Sequence, residues 1–397
     1  MKILMLTPYL PYPPSAGGQI RSYNLIKHLS QRHEITLACF TRDTNTPDQV
    51  AHMEKFCKKV LVFKRGKAWT IPNILRTGFS VYPFLVMIYY TPEIRPRLEE
   101  EIKTGHYDLI HAETSYVMPY LPKSDVPTVL VEQTIMSRVF AHQIETDKRW
   151  WLRPLLLIDV AKIAYWEKYF WKRADRLAAV SAEDAAIIKK VVPNKDVAVI
   201  PNGVGDDFDR TFDQLHYNPT IFYMGNYKWM QNWEAAEILA TKVFPLIANK
   251  IPDIQLNLVG QFPTPSLRAM VKHNPNIHIV ELDDSDREGV VKTYQNSGLL
   301  VAPIYGPSGT RLKILAAMAS MTPVVTTPIG AEGLGIKDGQ SMMIGATPEQ
   351  LAAKTVQILS DKKLYQKIAI NAKKIADVGF TWEPISKKLE TIYNSVV

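Results

Sequence analysis

Short apolar segments alternate with amphipathic segments along nearly the whole chain of 397 residues. In the first half the apolar segments predict strands over 2–7, 34–40, 60–63, 109–112, 128–132 and 177–181, with one more strand from residue 197. Helical patterns lie between most of these segments, and one of them predicts a helix over 18–31. Near-continuous apolar strands that are separated by helices are typical of a buried parallel sheet with right-handed crossovers.

A second series of the same kind begins at Thr220. It predicts strands over 220–224, 255–259, 278–281, 298–303, 323–326 and 342–344, again with helices between them. A Pro-Asn-Gly turn and a polar run with few apolar residues separate the two series, which is typical of a linker at about 205–218. We therefore predict two α/β domains, residues 1–204 and 205–380, followed by a last helix over about 381–397.

Composition and charge narrow the possible function classes. Hydrophobic residues make up 46% of the chain and charged residues 22%, as in ordinary globular proteins. The net charge of +8 favours an anionic partner such as a nucleotide, an acidic lipid or a nucleic acid. The longest apolar run, 81–90, is well short of the roughly 20 residues that span a bilayer. We expect residues 1–9 to form a first strand rather than a signal peptide.

The two cysteines, Cys39 and Cys57, show neither the spacing of a metal site nor that of a disulfide framework. This pattern is typical of a protein from a reducing compartment.

The segment G-P-S-G-T-R-L-K-I-L-A-A-M-A-S-M-T-P-V-V, residues 306–325, predicts a glycine-rich turn, a short apolar helix and a strand. It places Arg311 and Lys313 at the start of the helix, where the helix dipole already carries partial positive charge. Two cations there favour a bound phosphate, held by backbone N–H groups and both side chains. The alternative is a solvated basic turn.

A glycine-containing turn follows the first strand of each predicted domain. In S-A-G-G-Q-I-R-S-Y, Gly17 and Gly18 would let the backbone approach an anionic ligand at a helix N-terminus. In M-G-N-Y-K-W, Gly225 ends the strand and Lys228 stands where a cation would reach a diphosphate. The alternatives are a tight strand-to-helix turn and a surface lysine.

Titratable side chains close two strands of the first domain. His111 and Glu113 end one strand, and Glu132 ends the next, followed by Gln133. Polar groups at the carboxyl ends of parallel strands are typical of a ligand site. A hydrogen-bonded core histidine is the alternative for His111, whereas an unpaired buried carboxylate at Glu132 would be costly, so we expect Glu132 to face a cleft.

Three segments mix aromatic and basic residues, namely 70–79, 147–157 and 166–176. Lys and Arg meet anionic headgroups while Trp sits at the membrane interface, so together these segments favour a membrane-facing surface on the first domain. Core aromatics and solvated charges are the alternative for each segment alone.

Taken in this order, the segments resemble the large group-one family of retaining glycosyltransferases, which use nucleotide sugars and have the GT-B fold. The resemblance covers nearly the full length and rests most on G-T-R-L-K-I-L-A-A-M-A with P-V-V behind it. It rests also on the Gly17–Gly18 loop, on V-I-P-N-G-V and on M-G-N-Y-K-W-M-Q-N-W-E-A. The helix near Trp382 is similar to the family's crossover helix, which would return the chain to the first domain.

The resemblance implies an α/β protein with two Rossmann-like doubly wound domains facing a central cleft. The first domain would hold the acceptor and the second a UDP- or GDP-linked sugar, transferred with retention and without a metal or other cofactor. It places the following residues around the donor: Gly17, Gly18, Gly225, Lys228, Leu282, Gly309, Thr310, Arg311, Lys313 and Ala316.

The acceptor implied by the resemblance is a glycan or lipid-linked sugar, in the synthesis of cell-surface polysaccharide or glycolipid. Such a hexosyltransferase is expected in the cytoplasm, with peripheral contact to the inner face of the plasma membrane. We expect no nucleic acid partner.

The chain departs from the family pattern at three positions. A glutamate that would bind the donor ribose is expected at 316, where Ala316 stands, and a second glutamate is expected at 308, where Ser308 stands. A histidine is often found where this chain has Gln133, which cannot act as a base. Acceptor activation would then fall to His111, Glu113 or Glu132, or to the leaving phosphate itself.

Two other functions compete with an active transferase. Ala316 and Gln133 favour a catalytically impaired protein that still binds nucleotide sugars. A doubly wound oxidoreductase is disfavoured, because neither glycine turn matches G-x-G-x-x-G with an acidic residue about 20 residues later.

Overall fold

The computed structural model describes residues 1–42, 46–146, 150–210, 220–283, 286–307 and 311–397. The chain divides into two compact units. The N-terminal unit consists of Met1–Pro201 and Ile385–Val397, and the C-terminal unit consists of Asn202–Pro384.

A seven-stranded parallel sheet forms the middle of the N-terminal unit, in the order β3-β2-β1-β4-β5-β6-β7. The strands are β1 (Lys2–Thr7), β2 (Glu34–Thr41), β3 (Lys59–Lys64), β4 (Leu109–Glu113), β5 (Thr128–Glu132), β6 (Arg176–Ala179) and β7 (Val197–Val199). The predicted strands are confirmed, with ends that differ by one or two residues. The order reverses between β1 and β4, which is the point where open α/β sheets bind ligands.

Helices connect these strands. They are α1 (Gly17–Leu29), α2 (Pro47–Met53), α3 (Ile71–Phe79), α4 (Phe84–Met87), α5 (Ile94–Gly105), α6 (Met136–Thr146), α7 (Arg153–Arg173) and α8 (Ala182–Val191). Local sequence fixes several helix starts: the Ser181 hydroxyl, for example, accepts a hydrogen bond from the Asp184 N–H at 3.0 Å at the start of α8.

A six-stranded parallel sheet forms the C-terminal unit, in the order β10-β9-β8-β11-β12-β13. The strands are β8 (Thr220–Asn226), β9 (Gln255–Gln261), β10 (Ile277–Glu281), β11 (Leu299–Ala302), β12 (Val324–Thr326) and β13 (Met343–Ile344). The order again reverses next to the first strand of the series, between β8 and β11. Both sheets therefore have the strand order of a Rossmann-like fold.

The helices of this second half are α9 (Met230–Ile238), α10 (Phe244–Ala248), α11 (Pro265–Val271), α12 (Arg287–Asn296), α13 (Leu312–Ala319), α14 (Pro348–Ser360), α15 (Lys362–Gly379) and α16 (Trp382–Tyr393). A π-helical turn, Leu239–Val243, joins α9 to α10. The predicted helix and strand of the 306–325 segment are confirmed as α13 and β12.

The last helix, α16, ends in the N-terminal unit. Leu389 and Tyr393 on this helix are fully buried. Arg32, which follows α1, forms an ion pair with Glu390 of α16 at 3.0 Å, and His33 Nε2 lies 2.7 Å from the same carboxylate. The chain therefore leaves the N-terminal unit after Pro201 and completes it with residues from its far end.

Candidate functional site

The carboxyl edge of the first sheet carries three predicted catalytic residues. His111 and Glu113 lie on β4, two positions apart, and side chains two apart on a strand point to the same face. Glu132 is the last residue of β5. All three side chains are fully buried.

His111 and Glu113 are joined in a buried network that uses both ring nitrogens of the histidine. His111 Nε2 lies 3.0 Å from Glu113 Oε1, and His111 Nδ1 lies 2.5 Å from the Tyr393 hydroxyl. The Gln133 amide donates to Glu113 Oε2 at 2.5 Å, and its oxygen accepts from the Tyr9 hydroxyl at 2.7 Å. His111 is thus a hydrogen-bonded core histidine.

Arg21 supplies the positive charge next to Glu113. Its Nε lies 3.4 Å from Glu113 Oε2, and its Nη1 donates to the carbonyl oxygens of Ile200 and Pro201 at 3.1 and 2.9 Å. Burial by itself would raise the pKa of Glu113. The Arg21 guanidinium, His111 and Gln133 outweigh that effect and lower it to about 2. Glu113 is therefore a compensated carboxylate.

Glu132 belongs to a different buried cluster and does not face open solvent, so the expectation that it faces a cleft is wrong. Its Oε1 accepts from the Ser115 N–H at 3.0 Å and from the Trp171 indole N–H at 2.9 Å. Glu167 on α7 is equally buried, and its Oε2 accepts from the Ser137 hydroxyl at 2.5 Å. Burial, with each carboxylate near the other, raises the pKa of Glu132, and burial raises that of Glu167.

These placements bear on acceptor activation. A general base must come within hydrogen-bond reach of the proton that it removes. His111, Glu113 and Glu132 are each fully buried and hydrogen-bonded to protein groups. Their assignment as catalytic residues therefore stays a prediction, and in this structure they hold the strand ends together.

Gly17 and Gly18 begin α1, next to this network. A Cβ atom on Gly18 would lie 1.7 Å from the Tyr9 hydroxyl oxygen and 2.7 Å from Gln133 Oε1. The close approach that requires glycine here is thus an approach to Tyr9 and Gln133. Gly17 is exposed, so its predicted contact with a donor stays open.

The carboxyl edge of the second sheet brings the predicted Gly225 against the next strand. A Cβ atom on Gly260, which has φ of 140°, would lie 1.9 Å from the Gly225 carbonyl oxygen. The exposed Lys228 follows β8, and its amino group lies 3.0 Å from the centre of the Phe262 ring. Leu282 is half-buried, and its N–H donates to the Gly260 carbonyl at 3.0 Å.

Lys313, at the start of α13, reaches this same edge from the other side of the strand-order reversal. Its ammonium donates to the Tyr223 hydroxyl at 2.7 Å and to Asn232 Oδ1 at 2.6 Å. It also lies 4.2 Å from the centre of the Tyr223 ring. Burial, with Arg311 nearby, lowers the pKa of Lys313 well below its usual value. Within the described ranges, the two hydrogen-bond partners of this ammonium are therefore neutral groups.

Arg311 is the N-cap residue of α13 and is buried. Its Nη2 donates to the Gly306 carbonyl at 2.7 Å, which ties the helix start to the preceding turn. The structure brings Arg311 close enough to Lys313 to affect the pKa of the lysine. Gly309 and Thr310, like Ser308, lie outside the described residues.

Ala316 lies on α13 one turn after Lys313, and only 5% of its surface is exposed. It packs within the apolar core of the C-terminal unit. Among the described residues, no group of three or more His, Cys, Asp or Glu side chains has a metal-binding arrangement.

Four residues that complete these clusters had not been singled out from the sequence: Arg21, Tyr393, Tyr223 and Asn232. Arg21 stands within the quoted glycine-rich segment, and its position four residues after Gly17 could have placed it on the inner face of α1. Nothing local to Tyr393 indicates a contact with His111, 282 residues away.

Exposed apolar side chains gather on α3, on the first half of α7 and in the segments beside them; we name this region the α3–α7 surface. Its members are Trp69, Ile71, Ile74, Leu75, Phe79, Val81, Trp150, Trp151, Leu155, Leu157, Ile158 and Tyr165. Phe79 is 92% exposed. Residues 147–149 of the predicted segment lie outside the described residues.

Hydrogen bonds hold α3 and α7 next to each other. The Lys162 ammonium on α7 donates to the carbonyl oxygens of Thr77 and Ser80 at 2.9 and 2.7 Å. The Trp166 indole donates to the Val81 carbonyl at 2.9 Å. The helices of the described ranges include none with the length and apolarity needed to cross a bilayer.

Two protein-family models match the chain. The model described as Glycosyltransferase Family 4 matches residues 16–208, and the model described as Glycosyl transferases group 1 matches residues 218–361. The two matched regions fall on the two predicted α/β series.

Two curated relatives are similar to the chain. An uncharacterized 44.6 kDa protein in the cps region of Klebsiella pneumoniae is 24% identical over 89% of this chain and 90% of its own length. The phosphatidyl-myo-inositol mannosyltransferase of Mycobacterium leprae is 24% identical over 51% of this chain and 54% of its own.

Solved structures share the fold. Sucrose-phosphate synthase from Thermosynechococcus elongatus has a TM-score of 0.75 at 17% identity and covers 100% of this chain and 99% of its own. The glycosyltransferase WaaG, involved in lipopolysaccharide biosynthesis, has a TM-score of 0.67 at 15% identity, with 99% of both chains covered. Anabaena HepE in complex with UDP-glucose has a TM-score of 0.64 at 17% identity, with 100% of both chains covered.

The expected GT-B fold is therefore confirmed by the two Rossmann-like sheets and by these neighbours. Because the family models account for most of both halves, the chain belongs to the group 1 glycosyltransferases, with a family 4 domain in its first half.

Proposed function

We propose that this glycosyltransferase moves a hexosyl group from a UDP- or GDP-linked sugar to a glycan or lipid-linked acceptor. We further propose that configuration is retained, that no metal takes part, and that the product is a cell-surface polysaccharide or glycolipid. The relative from the Klebsiella cps region supports the polysaccharide role, and the HepE complex with UDP-glucose supports the nucleotide-sugar donor.

The observation that carries the donor site is the pairing of Lys313 with neutral groups. Its ammonium contacts Tyr223 and Asn232 at the carboxyl edge of the second sheet, and Arg311 lies nearby. A diphosphate would supply the negative charge that these partners lack. Cations that are held in place before the reaction stabilise the charge that develops on a departing diphosphate.

The proposed transfer assigns the acceptor proton to the donor itself. The bond between the sugar carbon and the diphosphate oxygen breaks as the acceptor oxygen bonds to that carbon. The proton of the acceptor hydroxyl then passes to an oxygen of the departing phosphate. The burial of His111, Glu113 and Glu132 supports this route over one that uses a carboxylate or histidine base.

We propose that the α3–α7 surface brings the enzyme to the inner face of the plasma membrane, where a lipid-linked acceptor would be found. Exposed aromatic and aliphatic side chains would enter the interface, and basic residues such as Arg76 and Lys168 would meet anionic headgroups. The two free, buried cysteines, Cys39 and Cys57, support a cytoplasmic location.

Calorimetric titration of UDP and GDP tests the donor site. We expect one of them to bind the intact chain, and Lys313→Met to weaken that binding by about 10- to 150-fold, the value of a charged hydrogen bond. Lys354→Met is the matched control, because Lys354 lies in the same unit and pairs with Asp338 at 2.6 Å. Equal affinities for both variants would refute the assignment.

Turnover with candidate nucleotide sugars tests the chemistry. We expect the anomeric configuration of the donor to be kept in the product, as read from proton NMR couplings, and the rate to be unchanged by a chelator. Inversion, or loss of turnover with the chelator, would refute this part of the proposal.

A further inference from the structure

Two arginines follow neighbouring strands at the carboxyl edge of the first sheet, on the side of β1 away from the Glu113 network. Arg42 comes directly after β2, and Arg65 comes directly after β3. The last register pair of these two parallel strands is Thr41 with Lys64, so the arginines occupy the next position on each strand. The Arg65 N–H donates to the Thr41 carbonyl at 2.9 Å, which fixes this alignment.

The Arg65 guanidinium is half-buried against aromatic rings. Its carbon lies 4.3 Å from the centre of the Tyr89 ring, and the Tyr89 ring centre lies 5.5 Å from that of Tyr116. Arg65 Nη1 is buried, and within the described ranges of the chain it has no hydrogen-bond acceptor. Arg42 is exposed. The Arg65 guanidinium therefore lies beside phenol rings, and the exposed Arg42 occupies the paired position on the neighbouring strand.

This cluster differs from the Glu113 network in its charge. Arg21 has the Glu113 carboxylate at 3.4 Å, whereas neither Arg42 nor Arg65 has an ion pair in the part of the chain that the structure describes. Burial lowers the pKa of Arg65, and the charge of Arg42 lowers it further. Partly burying a cation beside a second cation is unfavourable unless an anion compensates both.

We propose that Arg42 and Arg65 form an oxyanion site on the N-terminal unit, and that its ligand is a phosphoryl group carried by the acceptor. Guanidinium groups bind phosphate through paired N–H donors. Two guanidinium groups without an ion pair among the described residues match the charge of a phosphate dianion or a diphosphate better than that of a single carboxylate. That the acceptor carries this phosphoryl group rests on the proposed function, whereas the anion site is independent of it.

The test uses inorganic pyrophosphate as the probe and the full chain as the protein. Lys313→Met serves as the background, because it weakens the proposed nucleotide site and leaves the arginine cluster intact. We expect pyrophosphate to bind this background by calorimetry, and addition of Arg65→Gln or Arg42→Gln to weaken it at least tenfold. Arg95→Gln, which removes an exposed arginine of α5 in the same unit, is the matched control and should leave the affinity unchanged.

Three further measurements make the test decisive. Arg65→Lys keeps the charge without the paired donors, so its affinity should fall between those of the background and Arg65→Gln. Arg42→Gln changes an exposed side chain, so it still decides the question if Arg65→Gln unfolds by circular dichroism. Glucuronate, which carries a carboxylate, should bind at least tenfold more weakly than pyrophosphate.

Unchanged pyrophosphate affinity in Arg42→Gln and Arg65→Lys would overturn the proposal, and so would tighter binding of glucuronate. Failure of the proposed donor site gives a different result. In that case UDP and GDP would not bind the unaltered chain, while the effect of Arg42→Gln on pyrophosphate would persist.

Discussion

The carboxyl edges of the two sheets handle buried charge in opposite ways. At the first edge, Glu113 is met by Arg21, His111 and Gln133, and its pKa falls to about 2. At the second edge, the hydrogen-bond acceptors of Lys313 among the described residues are the neutral groups Tyr223 and Asn232, and burial, with Arg311 nearby, lowers its pKa. The Glu113 network of the first edge is therefore compensated by protein groups, whereas the described hydrogen-bond partners of Lys313 at the second edge carry no negative charge.

The contrast separates structural from ligand-binding polar residues within one fold. Polar side chains lie at both edges, so their position alone does not assign a role. The role is indicated instead by whether neighbouring protein groups compensate the charge of each side chain. By this criterion His111 and Glu113 stabilise the N-terminal unit, and Lys313 is the better candidate for contact with a substrate.

The largest expected loss of stability comes from removing the charge of Glu113 at the first edge. Glu113→Gln leaves the buried Arg21 without its carboxylate, and breaking a buried ion pair in this way costs about 3–5 kcal/mol. Glu132→Gln is the control, because a carboxyl group with a raised pKa loses little when it becomes an amide. Urea unfolding at pH 7 should show the difference, and equal losses in the two variants would contradict the comparison.

The next largest effect is expected from a new carboxylate on α13, in the C-terminal unit. Ala316→Glu places a carboxylate in an apolar core, which should lower the free energy of unfolding by about 2 kcal/mol or more. If the resemblance to the family is right, the same carboxylate accepts hydrogen bonds from the donor ribose, worth about 1.5–3 kcal/mol each. Nucleotide affinity and turnover should therefore rise while stability falls.

Ala317→Glu is the matched control for this substitution, since Ala317 is the next residue of α13 and is fully buried. It should lower stability without tightening the nucleotide. Calorimetry and thermal unfolding of both variants decide the point. A loss of nucleotide affinity in Ala316→Glu would show that the family's ribose contact does not apply to this chain.

A smaller effect concerns pH, because Glu113 and the Glu132–Glu167 pair have pKa values shifted in opposite directions. Glu113, with its lowered pKa, contributes stability above the ordinary carboxyl pKa near 4.3, and this is lost as pH falls towards about 2. Glu132 and Glu167, with raised pKa values, stabilise the folded state when they are protonated. This contribution to the free energy of unfolding is lost as pH rises above about 4.3 towards the raised pKa values.

Urea unfolding between pH 3 and pH 8 measures both contributions. Each unit of pKa shift corresponds to about 1.4 kcal/mol. Glu132→Gln should reduce the loss of stability on the alkaline side, and Glu113→Gln should reduce it on the acid side. If Glu132→Gln changed the acid side and Glu113→Gln the alkaline side, the described charge states would be wrong.

The smallest expected effect is on membrane binding by exposed side chains, which we compare between the two units. Arg76→Gln on α3 should weaken binding to vesicles with anionic lipids by about 1 kcal/mol, roughly fivefold, at low salt. Lys103→Gln on α5 removes the same charge from the same unit and should have little effect. Phe79→Ser should weaken binding further, whereas Val378→Ser, at an 83% exposed position of the C-terminal unit, should not. Sedimentation with vesicles gives all four values.

Local pattern predicted most of the fold, because buried parallel strands need continuous apolar runs on both faces. The strands 2–7 and 128–132 were placed to within a residue or two, and a helix was predicted to start at Arg311 and Lys313, where α13 begins. Local pattern also identified His111, Glu113 and Lys313 as polar groups at strand ends or helix starts. These positions follow from neighbours close in sequence.

The roles of these residues depended on contacts that sequence spacing does not reveal. Tyr393 satisfies His111 from 282 residues away, and Glu167 on α7 approaches Glu132 from 35 residues away. Gly18 was predicted to admit a ligand, yet the side chain of Tyr9 lies against it. Such pairings follow from three-dimensional packing, so composition and periodicity could not distinguish a compensated carboxylate from an exposed one.

The contact between Tyr393 and His111 has a consequence for biosynthesis. The C-terminal unit is one continuous stretch of chain, Asn202–Pro384, and all of its strands are available before α16 is complete. The N-terminal unit is translated first, but its His111 network stays unfinished until residue 393 has left the ribosome. We therefore expect the half of the chain that is synthesised first to be the last to reach its final packing.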